Sequence, residues 1–210
     1  MADWVTISAL ATAGGTLALA VTTYASVRSA NRASRVAELS LMAGLRPLLV
    51  ESGENDRVQH VNFMDVTGLE VPGGGAFVGE VDGSIFVVLS LKNVGPGIAV
   101  LHGGRVYGTQ VTSRPDHSPV EEMRMLQRDL YIAAGDVGYY QIAFREGDDV
   151  PEGLQDAIAG GVISVEVLYG DYEGGQRVIT RYGVRLVNGA WQVTTIRHWQ
   201  LDRPEVRQRG

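Results

Sequence analysis

The chain has no cysteine, which excludes disulfides, thiol nucleophiles and cysteine metal sites. It has one lysine, Lys92, against 17 arginines, a skew that points to codon bias in a high-GC bacterium rather than to physics. It has no basic excess either. With 18 basic and 24 acidic side chains the formal charge is -6, so broad binding to phosphates is disfavoured and no nucleic-acid partner is expected. The four histidines, His60, His102, His117 and His198, show no H-x-x-x-H or H-E-x-x-H spacing, so there is no zinc-enzyme signature. Gly73-Gly74-Gly75 is not followed by Lys-Ser or Lys-Thr, no G-x-G-x-x-G opens a helix, and no G-x-S-x-G elbow occurs. Neither a metal nor a cofactor is expected.

What is present, 210 residues with 45% hydrophobic, fits one domain with a core plus an appendage. Charge is unevenly spread. Residues 1–45 carry three Arg against Asp3 and Glu38, residues 46–196 carry 11 basic against 20 acidic side chains, and residues 197–210 carry four Arg against Asp202 and Glu205. An acidic body lies between two mildly basic ends.

The appendage is the N-terminus. Trp4 to Val27 is a run of 24 residues without a charge, and a helix of that length crosses a hydrocarbon core of about 30 Å. Seven of the 24 are Ser or Thr, which makes the run only marginally apolar. Trp4 and Tyr24 sit near opposite ends, where amphipathic rings prefer the membrane interfaces, and Arg28 follows directly. The rival readings are a cleaved signal peptide, which lacks the expected basic leader here, and a buried core helix. Ala11 with Gly15 and Gly14 with Ala18 have the four-residue spacing that lets two helices approach, so a weak homodimer through the span is a further expectation. Residues 28–45 keep helix formers and place Arg28, Arg32 and Arg35 on one face, suited to anionic headgroups. Three Arg after the span and none before it predict a bacterial plasma-membrane protein with its N-terminus outside and its C-terminal domain cytoplasmic. The expected divisions are a transmembrane helix over 1–27, a juxtamembrane helix over 28–45, a β-domain over 46–197 and a tail over 198–210.

After Pro47 the pattern changes to short runs of Val, Ile and aromatics separated by Gly-rich turns, which predicts a mainly β protein: an immunoglobulin-like antiparallel β-sandwich preceded by one long N-terminal helix. The strongest strand is Ser84–Lys92, with Asp82-Gly83 as its turn. Further strands are expected at Leu48–Glu51, Ala76–Val81, Ile98–Leu101, Arg105–Tyr107, Arg128–Ile132, Gly138–Phe144, Val162–Tyr169, Arg177–Val187 and Trp191–Arg197. Gly103-Gly104 suggests a bulge or bend between two of them. Pro151–Ala159 reads as one short helix, and Asn55–Gly75 as a loop or irregular hairpin.

The segment LSLKNVGPGIAVLHGGRV, Leu89–Val106, resembles the N-x-G-x-G-x-A element of many bacterial immunoglobulin-like domains. Together with Arg128–Gln141, Leu168–Tyr182, Arg197–Arg203 and the N-terminal span, it makes the whole chain similar to a family of membrane-anchored actinobacterial proteins. The resemblance implies architecture and lineage, and carries no activity with it.

Function is therefore read from residue types. Arg128, Tyr140, Asp171, Arg177, His198 and Trp199 belong to stretches that mix aromatic and polar side chains of the kind enriched at interfaces, and form the candidate interaction surface for an unknown protein partner. On alternating strands half of such a set faces inward. The leading expectation is a single-pass, membrane-anchored, non-catalytic interaction module whose other partner is the bilayer. Two alternatives stay open: a small-ligand sensor at the membrane, and an enzyme with a site at His102 or His198 near Asp129 or Asp171.

Overall fold

A computed structural model describes residues 3–65, 68–109 and 115–202, so positions 203–210 of the expected tail lie outside the described residues. The chain divides into two units, one ending at Gly44 and one beginning at Leu45.

The first unit is helix α1, Trp4–Gly44, 41 residues without a break. Its stretch from Ile7 to Met42 is long and apolar enough to cross a membrane. Three of the hydroxyls that dilute its hydrophobicity are satisfied within the helix. Thr12 Oγ1 donates to the Ser8 carbonyl at 2.9 Å, Thr16 to that of Thr12 at 2.9 Å, and Thr22 to that of Ala18 at 3.0 Å, which removes most of the cost of a hydroxyl in lipid. Trp4, Tyr24, Arg28, Arg32 and Arg35 are all exposed on it. The helix runs through the expected boundary at residue 27 because nothing from Arg28 to Ala43 is a glycine or proline.

The second unit is antiparallel β-structure. Its strands are β1 (Leu49–Glu51), β2 (Gln59–Val61), β3 (Leu69–Val71), β4 (Gly75–Val81), β5 (Ser84–Asn93), β6 (Ala99–Tyr107), β7 (Arg124–Ile132) and β8 (Val137–Phe144). A short helix α2 (Leu154–Ala159) follows, then β9 (Val162–Gly170), β10 (Val178–Val187) and β11 (Ala190–Gln200). Strand β11 passes the expected limit at residue 197, which puts His198 and Trp199 in the body. Helix α2 starts three residues after Pro151, which lies in the preceding turn and accepts the Leu154 N–H at 3.1 Å.

One nine-stranded sheet runs β8-β5-β4-β11-β10-β9-β6-β7, with β1 sharing the β4 edge of β5. The link between β4 and β11 is only two residue pairs long, Ala76 with Trp191 and Gly75 with Gln192, so the sheet turns over there. Val87, Leu89, Tyr140 and Ile142 from one half pack with Val165, Val167, Tyr182 and Val184 from the other around a single core. The expected sandwich is thus one sheet folded on itself. Asp82 (φ 49°) with Gly83 (φ 76°), and Asn188 (φ 52°) with Gly189 (φ 81°), form the left-handed two-residue turns that close the β4–β5 and β10–β11 hairpins.

Each outer face is partly covered. The β2–β3 hairpin, in the segment read from sequence as a loop or irregular hairpin, lays Val61 and Val71 on Val88. Over the other half, the segment from Pro115 to Met123 crosses as a strap that sets Met123 and Val120 against Leu168, Ile179 and Trp199.

Candidate interaction surface

Three members of the predicted surface are buried, which corrects the sequence reading. Tyr140 is fully enclosed, because it shares the inward face of β8 with Ile142 and Phe144. Its hydroxyl has no hydrogen-bond partner, and burial pushes its pKa far up. Trp199 faces outward, but the strap covers it. The Arg181 guanidinium lies 4.8 Å from its ring centre, that of Arg197 5.8 Å, and His117 meets it edge-on at 5.7 Å. Asp171 is buried as a turn-former, accepting the Gly175 N–H at 2.7 Å and Gln176 Nε2 at 3.3 Å.

The other three are at the surface in different ways. Arg128 is exposed and reaches from β7 to Gln141 Oε1 on β8 at 2.9 Å. Arg177 is exposed and held by the Asp202 carboxylate at 2.8 Å. His198 is half-buried, with its Nδ1 2.7 Å from Thr180 Oγ1, and does not meet Asp129 or Asp171.

Beneath the strap lies a buried ion pair that the sequence did not signal. Glu166 on β9 takes two hydrogen bonds from Arg181 on β10, Nε at 2.9 Å and Nη2 at 2.6 Å, and both side chains are about fully buried. The strap completes the set. Its Asp116 carbonyl accepts from Arg181 at 2.6 Å, its Ser118 N–H donates to Glu166 Oε2 at 3.0 Å, and its Pro115 carbonyl accepts from Arg197 at 2.7 Å. Tyr107 donates to Glu166 Oε2 at 3.0 Å. These bonds hold the strap down over the β9–β10 pair.

The chain matches no family model, and no curated protein or solved structure is significantly similar to it. Function is left to the geometry.

Two histidine neighbourhoods bear on catalysis. His102 feels the charges of Asp129 and Asp171 without pairing with either among the described residues. It sits where β6 slips register between Leu101 and Gly103, and its Nε2 lies over Gly170, where a Cβ would be 3.1 Å away. Burial lowers its pKa, Asp129 raises it, Arg177 lowers it and Asp171 raises it. Among the described residues no nucleophilic side chain is hydrogen-bonded to this ring. Among the described residues no three His, Asp or Glu side chains are placed to hold one metal ion. A cleft of about 520 Å³ between the Asp82–Ile85 turn and Phe144–Asp148 is open, and Arg145 and Asp148 in its wall are tied to Asp65 and Arg124.

The exposed aromatics gather elsewhere. Val100 on β6 pairs with Tyr131 on β7 at one side and Gly170 on β9 at the other, and paired residues share a sheet face. Tyr131 (60% exposed), Ile98 (45%), Val100 and the His102 ring therefore line one outward surface, with Tyr172 (65%) in the turn just beyond Gly170. Asp129 and Glu173 flank it, while Arg177 is neutralised by Asp202. The signal was available in the sequence, since Tyr131 and Tyr172 stand in the stretches that carried the prediction. Choosing them over Tyr140 and Trp199 required knowing that Tyr140 faces the core and that the strap covers Trp199.

Proposed function

We propose that the protein is a single-pass component of a bacterial plasma membrane, with its N-terminus outside and its β-body cytoplasmic, and that the body is a non-catalytic interaction module. The observation that carries this reading is the Tyr131, Val100, Ile98 and Tyr172 surface with its acidic rim. Aromatic residues in a solvated apolar patch supply contact area at low entropic cost, and the Asp129 and Glu173 carboxylates, hydrogen-bonded to Tyr131 and Tyr172, favour a partner that presents a basic segment beside an apolar one. The arginines at 28, 32 and 35 support the orientation through the positive-inside rule.

Two measurements test it. Protease added to intact cells should leave the body whole, and degradation of the body would overturn the orientation. A photo-crosslinking residue at Tyr131 or Tyr172 should trap the same protein in native membranes, whereas one at exposed Glu80 on β4 should not. Equal trapping at all three positions, or none at 131 and 172, would remove the surface from consideration.

A further inference from the structure

One row of paired residues crosses the outward face of the body and leads to the point from which residue 203 continues. Val100 on β6 lies between Tyr131 on β7 and Gly170 on β9. Val178 on β10 pairs with Tyr169 on β9 and with Gln200 on β11, so the next positions, Arg177 and Leu201, extend the row beyond Gly170. The Leu201 N–H donates to the Arg177 carbonyl at 3.0 Å. Asp202 then fixes the point of departure. Its carboxylate accepts the Arg177 N–H at 2.7 Å and Arg177 Nη2 at 2.8 Å. The segment 203–210 therefore starts beside the turn that carries Tyr172 and Glu173, at one end of the row whose other end is Tyr131.

Length and charge both match this patch. From β11 across β10, β9 and β6 to β7 is four strand spacings, about 19 Å, and eight residues extend to at most about 27 Å. The segment reads Arg-Pro-Glu-Val-Arg-Gln-Arg-Gly, three Arg against one Glu with a single aliphatic side chain, Val206. The patch offers the complement, with Tyr131, Val100, Ile98 and Tyr172 inside a rim of the Asp129 and Glu173 carboxylates. Asp129 precedes Tyr131 by two positions on β7 and so shares its face. A separate molecule loses translational and rotational freedom on docking here, whereas a tethered segment has an effective concentration on the order of millimolar, so a modest match is enough to seat it.

We propose that the segment 203–210 docks in cis on the Tyr131–Tyr172 patch, its arginines against the Asp129 and Glu173 carboxylates, and that an outside partner must displace it. The proposal rests on that patch being the interaction surface, and adds the occupant that guards it.

The first test uses the purified full chain in detergent micelles with no partner present, so its outcome is independent of any partner. A photo-crosslinking residue at Gln208, which leaves every charge in place, should join to peptides carrying Asp129–Ile132 and Gly170–Glu173 and not to the one carrying Glu80. Arg207→Glu with Arg209→Glu should lower that yield by roughly tenfold, and adding Asp129→Arg with Glu173→Arg should restore it. In a mixture of isotope-labelled and unlabelled chains the crosslinks should stay within one chain. Crosslinks that are absent, that survive the charge reversal, that fall on the Pro115–Met123 strap instead, or that join two chains overturn the proposal. In native membranes the charge-reversed segment should raise the trapping of a partner by a photo-crosslinking residue at Tyr131 by roughly threefold or more, and unchanged trapping would overturn the displacement. Failure to trap any partner in either chain, with the Gln208 crosslinks intact, would count against the interaction module and not against the docking.

Discussion

At position 93 four hydrogen bonds converge on one side-chain amide. Asn93 Oδ1 accepts the N–H groups of Leu48 (3.1 Å) and Gly95 (3.0 Å), and its Nδ2 donates to the carbonyls of Gly97 (2.7 Å) and Ile132 (3.0 Å). The same turn needs Gly97, because a Cβ there would overlap the Leu45 carbonyl. The N-x-G-x-G element is thus a clasp joining the first residues of the body to β5 and β7. Replacing Asn93 by Ala strands several buried groups and should cost about 3 kcal/mol, read from the urea midpoint of the full chain in micelles. Tyr140 presents the opposite case. Its hydroxyl already lacks a partner, so Tyr140→Phe should change stability by less than about 1 kcal/mol or increase it, by the same measurement. The sequence showed that the turn at Asn93 breaks a strand. It could not show the clasp, because two of the four bonds reach residues 45 and 39 positions away.

Among the elements, the strands and their turns were legible because alternation and Asp-Gly or Asn-Gly pairs are local signals. Even the slip in β6 was marked by Gly103-Gly104, although the residue it displaces is His102. The strap was not legible. Nothing between Pro115 and Met123 has a period, and what fixes it there are Glu166 and Arg181, whose pairing partners lie on strands far along the chain. The candidate site suffered for the same reason, since covering Trp199 moved the exposed aromatic surface to Tyr131 and Tyr172. Strand-borne histidines also give the fold a pH dependence. Burial lowers the pKa of both His102 and His198 below an unfolded value of about 6.5. As pH falls the unfolded chain takes up protons first, so stability is full above that value and declines below it until the folded rings titrate too. The urea midpoint of the natural chain should therefore be lower at about pH 5.5 than at about pH 7.5, and His102→Gln with His198→Gln should flatten the difference. Asp148 and Asp202, lowered by their hydrogen bonds to Arg145 and Arg177, act in the same direction but only below about pH 4.

For the whole molecule, α1 sets the scale. At 1.5 Å per residue its 41 residues extend about 60 Å, roughly twice the thickness of a hydrocarbon core. The uncharged run ends at Val27, and from Arg28 the same helix continues to Gly44 with charged and polar side chains. Because the natural chain has no cysteine, each introduced thiol is the only one present. Leu17→Cys should resist a water-soluble maleimide in membrane vesicles, and Ala37→Cys should react readily. Reaction at both positions would show that the helix does not span.

The outermost strands of the long sheet, β7 and β8, are consecutive in the chain and joined by a four-residue turn. Arg124 crosses from one to the other to stack on Phe144 and meet Asp148, and Arg128 crosses to Gln141. Both outer edges therefore carry guanidinium charges that an incoming strand would have to desolvate. An open sheet edge without such charges would offer each copy of the chain a template for the next. Replacing both arginines by Ala should therefore raise the rate of edge-to-edge, amyloid-like association, read by thioflavin fluorescence of the full chain.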